Sequence, residues 1–248
     1  FNDVRDLERE AERLAGSDAP LAGMSLVFTR RAAEFARLAT RARELGYRGH
    51  ITVGGHFAAF NAEALLEDVP AIDSVVIGEG ERILCDLAAH LDELENVAGV
   101  VFRSADGGIV RTVAAPKPTD LDELAWPARK VPYDDYLGLP IVNLLGSRGC
   151  SHECSFCSIA AWHRLCGGAR LRLREPEAIA EEMGVLYADG VRVFNFHDDN
   201  FIIPNRPFML ERLDRLERAL EAQGVGRIAF AIKARPDEVD RPLLTRLL

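Results

Sequence analysis

The stretch Gly146-Ser-Arg-Gly-Cys150-Ser-His-Glu-Cys154-Ser-Phe-Cys157 sets three cysteines at the spacing C-x-x-x-C-x-x-C, directly after the apolar run at 141–145. An apolar run bounded by glycine reads as a buried strand, so the cysteines sit on the loop that leaves it. Three thiolates on one short loop suit a single metal centre. Thiolates are soft ligands that select zinc, Cu(I) or iron–sulfur clusters. A structural zinc site takes four ligands and usually repeats a C-x-x-C pair, and no second pair occurs in the sequence. Three cysteine ligands suit a four-iron cluster with one iron left open.

Downstream of this loop, strands and helices alternate. Residues 175–187 read as a helix with Pro176 in its first turn, where a missing N–H costs little. Residues 191–196 alternate as a strand that runs into His197-Asp-Asp-Asn200. A helix at 207–223 closes at Gly224, a strand at 227–232 reaches Lys233-Ala-Arg235, and a last helix fills 237–248. Three strand–helix units with polar strand ends predict a partial (β/α) barrel over 141–248. Its chemistry gathers at the carboxyl ends of the strands.

Upstream, the fold class is again α/β. Strands are expected at 24–29, 51–53 and 74–77, and helices at 2–14, 32–45, from 62 onward and at 83–94. This alternation predicts a doubly wound parallel sheet over 1–100, which binds ligands beyond the carboxyl ends of its strands. Gly54-Gly55 and Gly78-Glu79-Gly80 both fall at such ends. Taken alone they are tight turns; glycine there also lets backbone approach a large ligand. Between the two halves, 101–140 reads as a hairpin and linker. Asp106-Gly-Gly108 marks the hairpin turn, and Pro116, Pro118, Pro127, Pro132 and Pro140 argue for a segment laid over a surface. Trp126, Tyr133 and Tyr136 are packing anchors there.

Composition narrows the class. The chain has 248 residues, a net charge of −9, 48% hydrophobic residues and five cysteines. The acidic balance argues against a broad nucleic-acid surface. An odd cysteine count with three clustered is not a secreted disulfide framework. No apolar run is long enough for a membrane span and no signal peptide opens the chain, so a reducing cytoplasm is expected. The sequence starts at Phe1 rather than Met and stops inside a helical pattern, so a longer parent protein is expected.

The cysteine spacing, with Phe156 before the last cysteine, resembles the radical S-adenosylmethionine (SAM) enzymes. That resemblance implies that Cys150, Cys154 and Cys157 hold a [4Fe–4S] cluster whose open iron binds SAM. Asp198-Asp-Asn-Phe201 resembles the version of the second strand's loop common in cobalamin-associated members. It implies that one of Asp198 and Asp199, with Asn200, holds the amino group of SAM. Arg235 then suits its carboxylate and Phe156 its adenine. Ser25, Gly54-Gly55 and Gly78-Glu79-Gly80-Glu81 resemble the cobalamin-binding domain that precedes many of these enzymes, where such residues line the cobalamin pocket. Two departures stand out. The family's Ser-x-Leu is Ser25-Leu-Val27 here, and its Asp-x-His-x-x-Gly loop would by spacing precede Phe1. His56 is not in the family's ligand position, and Asp120–Pro127 resembles the family's interdomain bridge.

The resemblance implies a mechanism in which the cluster reduces SAM to a 5′-deoxyadenosyl radical and methylcobalamin donates a methyl group to an unactivated carbon. It also implies a reductase to supply electrons and a small-molecule or peptide substrate. Cyclisation or rearrangement on the same scaffold, or a non-enzymatic zinc- or cobalamin-binding module, are the rival readings. Cys166 lies too far from Cys157 to join the family's ligand set, Cys85 is expected in the core, and Arg164, Arg170, Arg172 and Arg174 read as a solvated basic face or, alternatively, as a site for a cofactor or substrate phosphate. His152 and His197 flank the site without ligand spacing.

Overall fold

The computed structural model describes residues 6–248, so the first residues of the helix expected from residue 2 lie outside it. The chain forms two compact units. One runs to Lys117 and includes Arg164–Gly168; the other comprises Pro118–His163 and Ala169–Leu248.

The first unit contains α1 (Leu7–Ala15), β1 (Leu21–Ser25), α2 (Ala32–Glu44), β2 (His50–Gly54), α3 (His56–Phe60), α4 (Ala62–Asp68), β3 (Ser74–Val76), α5 (Gly80–Ala89), β4 (Val100–Arg103) and β5 (Ile109–Arg111). The sheet order is β1-β2-β3-β4-β5. β1, β2 and β3 are parallel, with Ser25 opposite Gly54 and Val53 opposite Val75. Consecutive parallel strands joined by helices place their carboxyl ends on one edge. β2 and β3 bury both faces, with Ile51 and Val53 at 0% exposure on one and Thr52 at 1% on the other, whereas the edge strand β1 alternates. α2 ends where Gly46 turns with φ +105°, its N–H reaching Arg43 O while Tyr47 N–H returns to Ala42 O. This is the terminal pattern that glycine favours.

Two sequence expectations shift here. The first strand covers Leu21–Ser25 rather than 24–29, because the apolar run leaves the sheet after Ser25 and only Leu26 remains buried (1% exposed). The hairpin read as part of the connector instead pairs antiparallel with β3 and extends the first sheet.

The second unit contains β6 (Asp134–Tyr136), β7 (Leu139–Leu144), β8 (Ser147–Gly149), most of α6 (Ser158–Cys166), β9 (Leu171–Leu173), α7 (Pro176–Ala188), β10 (Val193–Phe196), α8 (Arg206–Ala222), β11 (Ala229–Ala231) and α9 (Arg241–Leu247). β7, β10 and β11 are parallel neighbours, and β6 adds antiparallel to the edge. Val142, Leu144, Phe194 and Phe196 pack against Ile179, Met183 and Leu186 of α7 in one buried cluster. Helix starts follow side-chain caps: Asn205 accepts from Phe208 N–H and Asp240 from Leu243 N–H.

The segment expected to be an irregular linker is tied into this unit. Arg129 donates to Glu182 at 2.6 Å, and Asp122 accepts from Arg174 at 2.7 Å. α6 and the β8–β9 hairpin were not foreseen in the sequence. The hairpin pairs Ser147 with Leu173 and Gly149 with Leu171, so it brackets the cysteine segment.

Candidate functional site

At the carboxyl edge of the first sheet, Ser25, Gly54-Gly55 and Gly78-Glu79-Gly80 stand at the ends of β1, β2 and β3. Leu26 N–H donates to Gly54 O at 2.7 Å, closing the first turn against the second. Gly55 adopts φ +100°, and a Cβ there would lie 2.9 Å from Leu26 O, so backbone geometry alone demands glycine. Gly78 adopts φ +125° for the same reason. Gly54 and Gly80 differ. A Cβ at Gly54 would meet Val76 at 3.6 Å and one at Gly80 would meet Leu84 at 3.5 Å, both ordinary contacts. The described residues leave room for a Cβ at these two positions. His56 is the first residue of α3.

In the second unit the cysteines lie on the loop after β7, between β8 and α6. Cys157 is exposed, and Cys150 and Cys154 are partly buried. Cys157 N–H donates to Cys154 O at 3.0 Å, a tight turn within the motif. Burial pushes the Cys150 thiol up from its ordinary range. A bond from the His152 N–H opposes this, and the charges of Asp199, Cys154 and Cys157 add to the rise. Those couplings put Asp199 and all three thiols in one neighbourhood. Among the described residues, no three His, Cys, Asp or Glu side chains gather tightly enough to hold a single metal ion. A tetrahedral zinc site requires its ligands to converge on one point. A four-iron cube takes each thiolate on a separate iron.

Two other loops act on the cysteine segment. Arg170 donates to His152 O (2.7 Å), Ser151 O (3.3 Å) and Glu153 Oε1 (2.8 Å). Arg235, at the end of β11, donates from Nη1 to Cys154 Sγ at 3.1 Å, while Asp237 grips its Nε and Nη2 at 3.0 and 2.7 Å. His152 Nε2 lies 2.6 Å from Glu238 Oε1. The other carboxylate oxygen of Glu238 accepts from Asn200 Nδ2 at 2.8 Å.

The two aspartates after β10 separate in role. Asp198 is 1% exposed; it accepts from Gly146 N–H and Ser147 Oγ–H, both at 2.8 Å. Burial pushes its carboxyl up from the ordinary aspartate range, against those two bonds and the Arg212 charge. Both its oxygens are used in fastening the end of β7 to the end of β10. Asp199 is exposed and carries the carboxylate that Cys150 feels. Asn200 is 6% exposed, with Nδ2 bonded to Ile202 O and Glu238, while its Oδ1 is buried with no protein partner. A buried acceptor of this kind takes a bound donor or a water. Phe156 is 90% exposed and touches no core.

Sequence reasoning missed Glu238, Arg170 and Ser147, whose partners lie far off in the chain. It also read the basic stretch as a solvated face, whereas Arg172 and Arg174 are 5% and 8% exposed. Arg172 donates to Pro118 O, and Arg174 bridges Asp122 and Glu182. The alternation Arg170-Leu-Arg172-Leu-Arg174 was the signal, since period two sends one set of side chains inward along a strand.

Residues 2–88 match the B12 binding domain family. The chain is 35% identical over 157 residues to the anaerobic magnesium-protoporphyrin IX monomethyl ester cyclase of Synechocystis sp., covering 60% of this chain and 30% of that protein. It is 32% identical over 171 residues to an uncharacterized methyltransferase of Pyrococcus horikoshii, covering 65% of this chain and 36% of that one. Among solved structures, the radical S-adenosylmethionine methyltransferase TsrM from Kitasatospora setae superposes with a TM-score of 0.72 at 22% identity, covering 98% of this chain and 49% of its own. TsrM has been solved with tryptophan and a SAM analogue, and with cobalamin and a [4Fe-4S] cluster. Residues 2–88 thus match a B12 binding domain, and the chain shares its fold with the radical S-adenosylmethionine methyltransferase TsrM over 98% of its length. It spans about a third of the length of the two curated relatives. No described helix is long and apolar enough to cross a membrane.

Proposed function

We propose that this chain serves a cobalamin-dependent radical SAM enzyme and that its reaction is methyl transfer to an unactivated carbon. The observation that supports this reading most is the placement of Cys150, Cys154 and Cys157 after the first of three parallel strands, with a guanidinium on one sulfur. When bound, the cluster and cobalamin supply the electron that cleaves SAM and the carrier for the methyl group.

The chain's own residues do the rest. Cys150, Cys154 and Cys157 hold the cluster. Arg235 donates to Cys154 Sγ and, beside it, faces the carboxylate of SAM. Asp199 is the exposed carboxylate suited to the amino group of SAM, and Asn200 Oδ1 offers a buried acceptor next to it. Asp198 holds the loops rather than the ligand. Phe156 covers the adenine. Ser25, Gly54, Gly55, Gly78, Glu79 and Gly80 line the cobalamin cradle. The partners are an electron-donating reductase and a small-molecule or peptide substrate, in the cytoplasm.

The likeness to a cyclase favours one second reading, ring closure on the same scaffold. Anaerobic reconstitution of the whole protein tests both. Release of 5′-deoxyadenosine with retained cobalamin and a product heavier by one methylene supports methyl transfer. Deoxyadenosine with no mass gain supports cyclisation, and iron-free protein folded around one zinc overturns both. Cys154→Ala abolishes deoxyadenosine release, whereas Cys166→Ala spares it; equal losses contradict the ligand assignment.

A further inference from the structure

Resting on the reading that the cysteine loop carries the cluster, we infer that Glu238 is a positioning residue that holds this loop in place before any metal arrives. The geometry is a bridge between three loops. Glu238 stands on the short 3-10 turn Pro236–Glu238, which follows β11. One carboxylate oxygen meets His152 Nε2 at 2.6 Å, within the cysteine motif. The other accepts from Asn200 Nδ2 at 2.8 Å, in the loop after β10. The carboxylate is confined: its side chain is 10% exposed, and Arg206 fixes the same residue by donating to Glu238 O at 2.6 Å. Short bonds to an ionised acceptor at low exposure are the stronger class of hydrogen bond.

The bridge is one of several fastenings on the cysteine segment. The β8–β9 hairpin and Arg170 hold it from one side, through Gly149 and the Ser151 and His152 carbonyls. On the other side two side chains reach it from the loop after β11: Arg235 at Cys154 Sγ and Glu238 at His152. Arg235 contacts the sulfur itself, so its removal alters both loop and ligand. Glu238 touches no sulfur and acts through His152. Its amide partner adds a constraint: both neighbours of Asn200 Nδ2, Ile202 O and Glu238 Oε2, are acceptors. Glu238 therefore also fixes which way the Asn200 amide faces, and so where the buried Oδ1 lies.

The test is hydrogen–deuterium exchange of the cluster-free chain, read on peptides covering residues 150–157 and, as an internal reference, 193–196. Glu238→Ala is expected to speed exchange across 150–157 by about tenfold, as loss of a charged hydrogen bond does for a local opening, with 193–196 unchanged. Glu238→Gln keeps an acceptor for His152 and restores most of the protection. His152→Ala gives the same acceleration, and the double variant adds nothing further, because the two side chains act as one link. Additive effects of the two variants, or unchanged exchange at 150–157 in Glu238→Ala, overturn the inference. In the reconstituted protein, Glu238→Ala raises the KM for SAM more than it lowers kcat. The exchange result stands whether or not the chain loads iron. A protein that never releases deoxyadenosine thus removes the functional reading without touching this one.

Discussion

The carboxyl ends of the two parallel sheets are built in opposite ways. After β1, β2 and β3 the turns are Ser25, Gly54-Gly55 and Gly78-Glu79-Gly80, where the shaping is done by backbone and by absent side chains. After β7, β10 and β11 the loops carry cysteine, histidine, amide, acidic and guanidinium groups that bond to one another across 38 to 86 residues of sequence. The first edge is shaped by glycine and the second by polar groups, each of which needs a partner because unpaired buried groups are costly. The first edge therefore tolerates change until bulk appears, and the second fails when one bond is lost.

The comparison is tested most severely at glycines, one in each unit. Gly149→Ala carries the largest expected effect. Its φ is +91°, and a Cβ would lie 1.7 Å from Arg170 O, so the β8–β9 hairpin has to open. A loss of at least about 3 kcal/mol is expected, read by urea unfolding. Gly55→Ala follows at about 2 kcal/mol, from its left-handed backbone and the approach to Leu26 O. Gly54→Ala sharpens the contrast. It costs under about 1 kcal/mol, since only an ordinary contact with Val76 is made, yet cobalamin retention, read by absorbance after gel filtration, drops. Normal retention in Gly54→Ala removes the cradle argument.

Asp198 gives a smaller effect with a sign. Its folded carboxyl lies above the ordinary value of 3.8, so the native state binds the proton more tightly than the unfolded chain. The stability this brings is complete at acid pH and is lost as pH rises through the folded value. Asp198→Asn flattens that slope in denaturation series run from acid to neutral pH. Asp198→Ala leaves the Gly146 N–H and Ser147 hydroxyl without an acceptor and costs about 2 kcal/mol. A slope of the opposite sign contradicts the burial argument. The least expected effect is at Cys166, which is 5% exposed and whose thiol burial pushes up to about 11. It stays unalkylated by iodoacetamide in the folded chain, while Cys157 and Cys85, which is exposed rather than in the core, react.

Much of this was legible in the sequence because hydrophobic period reports local structure. The runs that became β7, β10 and β3, and the amphipathic α2 and α8, are long enough to declare themselves. The strand Leu21–Ser25 was displaced because the apolar residues continue through Phe28, which is 61% exposed and belongs to the departing loop. β8 and β9 have three residues each, too few for a pattern. α6 was hidden behind the cysteine motif, although Ser158 before Ile159, Trp162 and Leu165 is a start signal followed by helical spacing. The cysteines and the Asp-Asp-Asn-Phe loop could be read as motifs. The division of labour between Asp198 and Asp199 could not, because adjacent residues of one type differ only in which way the backbone turns them. Glu238 had no signal at all: its partner His152 is 86 positions away.

The fastening of Gly146 and Ser147 by Asp198 has one more consequence. It is made wholly of protein atoms, so the wall beside the cysteines stands without help from any metal. That fastening should therefore persist with no metal bound, unlike small zinc modules that collapse when stripped.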